Sequence, residues 1–338
     1  MRAVLHFDGA VGSLIGEPHK GLEAMFTFMN TARIGTAIQG VAHAELSHQG
    51  ALAYARERRS MRALSGKKEP DQVADAIVWH PDVRRMLLKQ KAIAEGGRAM
   101  IYGAAKLADK MYAASWSGDQ DTYHRCDSEL GFYTPILKGF LTEMGLEAAS
   151  LGMQVFGGHG YVRENGMEQI VRDARIATLY EGTTGIQALD LLGRKVLQQT
   201  RGRCVRDFTA RMWTLARPGL WSSGFRGRWS RALAWRALQW NTLTLRIMLK
   251  AQSDPEQVGA ASFDYLMYAG HVMMAYHWAL MAQSAEDQLH RGQGTQSTEF
   301  YRAKIQTAQF YFERMLPQAD AHHRMALGSA GTLLQVEL

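Results

Sequence analysis

Cysteine and proline are scarce in this chain: two of the former and seven of the latter in 338 residues. Cys126 and Cys204 cannot form a disulfide framework. Lacking metal-ligand spacing, they read as free thiols in a reducing compartment. So little proline, beside abundant Ala, Leu and Met, leaves long helices uninterrupted. No apolar run reaches the length of a membrane span, and Asp8 interrupts any hydrophobic stretch a secretion signal would need. The expected location is therefore the cytoplasm. Acidic residues are nearly absent from one window: residues 201–250 hold ten Arg and one Lys against Asp207 alone. That window is +10 within a chain of +7, so the remainder is about −3. It also holds five of the eight Trp: Trp213, Trp221, Trp229, Trp235 and Trp240.

The remaining composition is that of a globular protein, 46% hydrophobic and 21% charged, with length for two or three domains. Residues 3–20 read as an extended stretch and carry the sole convincing strand signal. Too short for a sheet alone, the stretch is expected to be the remnant (1–21) of a β-domain. Apolar residues then recur at helical spacing. Leu22, Met25, Phe26 and Met29 open a helix over about 22–59. Pro81 starts a second, which ends near Ser117-Gly118. Further helices are expected over about 128–155, 165–178 and 184–198. The fold class is mainly α: a four-helix bundle over 22–200, then a second helical domain over 205–338. The latter contains helices at about 205–215, 225–251, 256–290 and 296–325.

Three segments carry chemistry. Glu181, in Leu179-Tyr180-Glu181-Gly182-Thr183-Thr184, sits at a helix junction. It is a candidate general base, since substrate binding would desolvate it and raise its basicity. It reads equally as a first-turn acid favoured by the following helix dipole. The loop Gly157-Gly158-His159-Gly160 can cradle a pyrophosphate through backbone N–H groups, or simply end a helix. Arg56, Arg58 and Arg59 can grip a phosphate, or complement a helix C-terminus. No metal ligand set is expected.

In combination and in order, these segments resemble the flavin-dependent acyl-CoA dehydrogenases. The resemblance runs through Thr31-Ala32-Arg33-Ile34-Gly35, Tyr54-Ala55-Arg56-Glu57-Arg58 and Gln154-Val155-Phe156-Gly157-Gly158-His159-Gly160-Tyr161. It continues in Arg172-Asp173-Ala174-Arg175-Ile176 and Tyr180-Glu181-Gly182-Thr183. It covers about residues 1–200. His80 to Leu87 and Leu189 to Lys195 resemble the larger subgroup with an extra C-terminal helical domain, which includes the 3-methylmercaptopropionyl-CoA dehydrogenases.

The resemblance implies that Glu181 removes the α-proton of an acyl-CoA thioester while FAD takes the β-hydrogen as hydride, giving a trans-2-enoyl-CoA. It implies FAD contacts at Arg58, Ser60, Gln154, Gly157, Gly158 and Thr183, partly across a homodimer interface. Arg33 and Gly182 would contact CoA, and an electron-transferring flavoprotein would accept the electrons. Arg172 and Asp173 would be structural. Met61, Arg62 and Gly185 depart from the family pattern, which weakens Met61 and Gly185 as cofactor contacts. Such enzymes begin with a helical and a β-domain, so the chain is expected to be the C-terminal portion of a longer enzyme, to be completed by another polypeptide, or to be a non-catalytic remnant. Residues 201–246 admit three readings: Trp packed on the bundle with Arg in water, a basic face on an anionic membrane, or a nucleic-acid surface as in a flavoprotein of the alkylation-response type.

Overall fold

In the computed structural model, residues 4–292 and 294–337 are described, without the side chains of residues 23, 26, 27, 30 and 31. Residues 1–3 and Leu338, at the ends of the expected domains, lie outside the described residues, as do the side chains of Phe26 and Thr31. Residues 4–20 run as exposed coil. The strand expected over 3–20 forms no ladder over 4–20, because among the described residues no second strand lies beside it. Backbone pairing of β type among the described residues is confined to an isolated antiparallel bridge between Arg59 and Ala76.

Three helices of equal length form the first layer: α1 (Gly21–Glu57), α2 (Pro81–Ser117) and α3 (Gln120–Phe156). α2 starts at Pro81 and ends on left-handed Gly118, as its sequence signals predict. α3 begins eight residues before the expected Ser128, because Asp119 caps it by accepting a 3.0 Å hydrogen bond from the Thr122 amide. Two short helices follow, α4 (Gly158–Tyr161) and α5 (Met167–Ala177), then α6 (Thr184–Leu189), continued by a π-helical run to Gln199.

The remaining helices are α7 (Arg203–Ala216), α8 (Gly224–Ser253), α9 (Glu256–Arg291), α10 (Thr298–Phe310), α11 (Gln318–Ala326) and α12 (Gly331–Leu334). The single helix expected over 296–325 is broken after a wide turn at Tyr311–Met315. Pro317 lacks the N–H that would continue it. α9 is the central strut. It packs on α2, α3 and α6 on one side, and on α8, α10 and α11 on the other. Tyr265, Leu266, Tyr268, Met274 and Trp278 are fully buried along it, which explains its weak amphipathic signal. One apolar cluster consequently runs from Ala37 on α1 to Ala326 on α11.

α1 and α3 approach to backbone contact. A Cβ on Gly40 would lie 2.3 Å from the Leu141 carbonyl oxygen, and one on Gly145 would lie 2.4 Å from the Gly40 carbonyl oxygen. Neither neighbour is a side chain that can turn aside. Gly40→Ala is therefore expected to destabilise the fold by roughly 1–3 kcal/mol through overpacking, read as a lower urea midpoint. An unchanged midpoint would mean that the two helices can separate without cost. This contact positions the site, because the turn bearing Glu181 rests on both helices.

Candidate active site

Glu181 lies in the turn between α5 and α6. α6 is capped by Thr183, whose Oγ1 accepts a 3.4 Å hydrogen bond from the Ile186 amide, and it has no acid in its first turn. Glu181 precedes the cap by two residues, so the helix-dipole reading does not account for it. Its backbone is left-handed, with φ 57°, followed by Gly182 at φ 87°. A non-glycine residue pays a steric cost there, so surrounding contacts must hold the turn. A Cβ at Gly182 would lie 2.5 Å from Gln187 Nε2. The side chain of Glu181 is half-buried, and its carboxylate has no hydrogen-bond partner among the described residues.

The contacts that hold the turn come from beneath it. Fully buried Lys138 on α3 donates from Nζ to the Gly182 carbonyl at 2.7 Å. Buried Gln187 on α6 donates to the Glu181 carbonyl at 3.0 Å. Thr184 donates to Glu143 of α3 at 2.6 Å, and the Tyr180 hydroxyl bonds the Gln39 side chain of α1. Burial pulls the Lys138 ammonium down to about 8, against the attraction of the Glu143 and Glu181 carboxylates. Sequence reasoning missed Lys138 and Gln187. Both stand among apolar residues at core spacing, and a polar residue in such a stripe was the available signal.

Arg33 is 6% exposed and donates to Asp190 at 2.9 Å. Its Nε has no partner. The pair forms one wall of a cleft of about 720 Å³ between α6 and the start of α9, with Ile186, Leu189, Arg194 and Val258. Arg33 also acts on Lys138 electrostatically. Arg33, Glu181, Gly182 and Thr183 therefore belong to one neighbourhood.

Arg58, Ser60, Gln154, Gly157 and Gly158 form a second one. α1 and α3 end side by side here: Tyr54 stacks on Phe156 with ring centroids 4.1 Å apart, and its hydroxyl lies 3.3 Å from His159 Nδ1. Gly157 closes α3 with φ 62° and ψ −140°. A Cβ on Gly157 or Gly158 would meet nothing within 4 Å, so a ligand has open access to this backbone. The exposed Arg58 guanidinium has no partner among the described residues. The following loop is fixed from within by Asp75. Its carboxylate accepts from the amides of Ala63, Lys68 and Glu69 and from Arg62, and the Ala63 amide leads in holding it below the usual carboxylate range. Arg62 is thereby committed to the loop, and Arg59 pairs with Glu69. About 24 Å of α3 separates Lys138 from Gln154 at ~1.5 Å per residue.

The basic segment divides between core and surface. Trp229 and Trp240 are buried, while Trp213, Trp221 and Trp235 are exposed. Arg236 is buried in a bidentate pair with Asp320. Arg211 pairs with Glu129, Arg228 approaches Glu313 at 3.6 Å, and Arg231 donates to the Leu220 carbonyl. Internal partners thus hold these four guanidinium groups, while Arg201, Arg203, Arg217 and Arg246 are exposed. A cleft of about 920 Å³ lies here between α7 and α8, remote in sequence from the Glu181 turn. No helix among the described residues is long and apolar enough to cross a membrane.

Comparison with known proteins gives two family matches: "Acyl-CoA dehydrogenase, C-terminal domain" over residues 19–197 and "Acetyl-CoA dehydrogenase C-terminal like" over residues 208–337. The chain is 38% identical to 3-methylmercaptopropionyl-CoA dehydrogenase of Ruegeria pomeroyi, over 99% of its own length and 55% of that protein's. It is 30% identical to the broad-specificity linear acyl-CoA dehydrogenase FadE5 of Mycobacterium tuberculosis, over 92% and 51%. An acyl-CoA dehydrogenase of Bacillus anthracis, solved with FAD, shares the fold with TM-score 0.72 at 16% identity, over 96% of this chain and 52% of that one. ACDH-11 of Caenorhabditis elegans, solved with C11-CoA, gives TM-score 0.65 at 17% identity, over 89% and 45%. The chain spans about half the length of the curated relatives it matches.

Proposed function

This chain belongs to the acyl-CoA dehydrogenase family, and from that premise we propose that it is the C-terminal portion of an enzyme that converts an acyl-CoA thioester to a trans-2-enoyl-CoA, with Glu181 as base. One observation carries the assignment. An ionisable side chain is held left-handed and half-buried on a polar scaffold, and none of the surrounding donors is spent on its carboxylate. The acyl thioester acidifies its own α-carbon, and Glu181 takes the α-proton. Gly182 has no side chain to obstruct the CoA tail beside it. Arg33 lines the cleft through which that tail would pass.

The residues present fit FAD. Gly157 and Gly158 offer an unobstructed backbone, the Arg58 guanidinium is free to meet a pyrophosphate, and the exposed Thr183 can face a flavin edge. Ser60 and Gln154 would hold the adenine end. When bound, FAD supplies the acceptor for the β-hydride. The spacing of the two neighbourhoods argues for a dimer. The ribityl chain between an isoalloxazine ring and its pyrophosphate covers less than half of the ~28 Å along α3 from Lys138 to Gly157. One copy would thus place Thr183 against one flavin and lend Arg58, Gln154 and Gly158 to the cofactor of its partner. We further assign 1–21, 22–200 and 205–338 as the remnant of a β-domain, the catalytic bundle and an added helical domain. The enzyme would work in the cytoplasm and pass electrons to an electron-transferring flavoprotein.

The direct test is anaerobic addition of acyl-CoA thioesters to the flavin-loaded enzyme, with this chain in its full-length context. The flavin absorbance is expected to bleach. Retention of the oxidised spectrum with every thioester, at full flavin occupancy, would overturn the reading.

A further inference from the structure

We propose that Lys138 is a positioning residue for the base: its ammonium clamps the Glu181-Gly182 turn from below and so fixes where the Glu181 carboxylate stands before substrate arrives. The proposal rests on the reading of Glu181 as base.

Lys138 is fully buried in α3, between Leu137 and Gly139, where a lysine has no ordinary reason to be. Its Nζ lies 2.7 Å from the Gly182 carbonyl oxygen, which fixes the second residue of the left-handed pair. Gln187 Nε2 fixes the first through the Glu181 carbonyl at 3.0 Å, and reaches the Gly182 carbonyl at 3.5 Å. The two donors come from different helices, so the turn is gripped from α3 and from α6. Gln187 is neutral. Of the two, only Lys138 brings a charge under the base.

The charged groups around Lys138 are few. Glu143 of its own helix and Glu181 of the turn attract its proton, Arg33 of α1 repels it, and Gln187 and Thr184 of α6 carry no charge. Arg33 is already paired with Asp190, and Glu143 accepts from Thr184. Glu181 is left as the carboxylate with no hydrogen-bond partner among the described residues. Glu181 attracts the Lys138 ammonium, so base and clamp are linked electrostatically across the turn.

The test has two arms. In the first, the chain is labelled with carbon-13 at lysine Cε and titrated by NMR, without cofactor or substrate. One lysine is expected to titrate with a midpoint near 8, to be missing in Lys138→Met, and to titrate lower in Glu181→Gln, where an attracting carboxylate is gone. A midpoint that does not move in Glu181→Gln overturns the proposal. In the second arm, Lys138→Met in the complete flavin-loaded enzyme is expected to lower kcat by roughly tenfold or more, with KM and flavin content close to the parent. Loss of flavin in step with kcat would mark a lysine needed only for packing and overturn the proposal. Failure of the base assignment itself looks different: turnover would survive Glu181→Gln while the NMR coupling stayed intact.

Discussion

Glu181→Gln is expected to lower acyl-CoA-dependent flavin reduction by roughly 10²–10⁴-fold, the range of a lost general base. The substitution is nearly isosteric. The grip on the turn uses the backbone carbonyls of residues 181 and 182, and the Glu181 side chain makes none of these bonds. Stability and flavin retention should therefore stay close to the parent. This separates a chemical defect from a structural one, which Gly182→Ala would not do, because its Cβ would strike Gln187. A rapid-mixing experiment that monitors flavin absorbance measures the step directly. Loss of reduction together with loss of flavin would assign Glu181 to the fold. Unchanged reduction would remove it from the chemistry. A thioester still able to bind Glu181→Gln without bleaching it is the result that supports a base.

The candidate residues could be picked out of the chain because they stand in short local runs. Gly157, Gly158, Glu181, Gly182 and Thr183 stand in short runs with a marked local geometry: positive φ at Gly157 and Gly182 and a cap at Thr183. Helix ends were legible for the same reason, as at Pro81 and Gly118. Groups that act across the fold were not. Lys138 and Gln187 reach the turn from other elements, and no spacing rule ties position 138 to position 182. The joining of both helical segments into one core was hidden too. α9 is buried on nearly every side, so it lacks the polar face that would show which neighbours it serves. The strand expected over 3–20 illustrates the converse. A local pattern favours an extended backbone, but a ladder needs a partner strand, and among the described residues none exists.

The second large effect concerns the Arg33–Asp190 pair. Both side chains are 8% exposed, and Asp190 accepts from Arg33 on Oδ2 at 2.9 Å and from Arg194 on Oδ1 at 2.5 Å. Asp190→Ala would leave the Arg33 guanidinium buried beside Lys138 with no counter-ion, a cost of roughly 3–5 kcal/mol. Arg194 is half-exposed, so Arg194→Ala should cost less than about 1 kcal/mol despite the shorter contact. The double change Arg33→Leu with Asp190→Leu should recover most of the loss, since removing both charges also removes the desolvation penalty of each. Urea denaturation of the four proteins gives the comparison. Equal destabilisation by Asp190→Ala and Arg194→Ala would sink the idea that burial makes the first pair matter. The same series bears on CoA recognition. With Asp190 in place, Arg33 is charge-compensated and lines the cleft, with its unpartnered Nε buried below the surface. It would meet CoA as an oriented donor held by Asp190, and a weaker grip on CoA in Asp190→Ala would follow from lost orientation even as the net positive charge of the cleft rises.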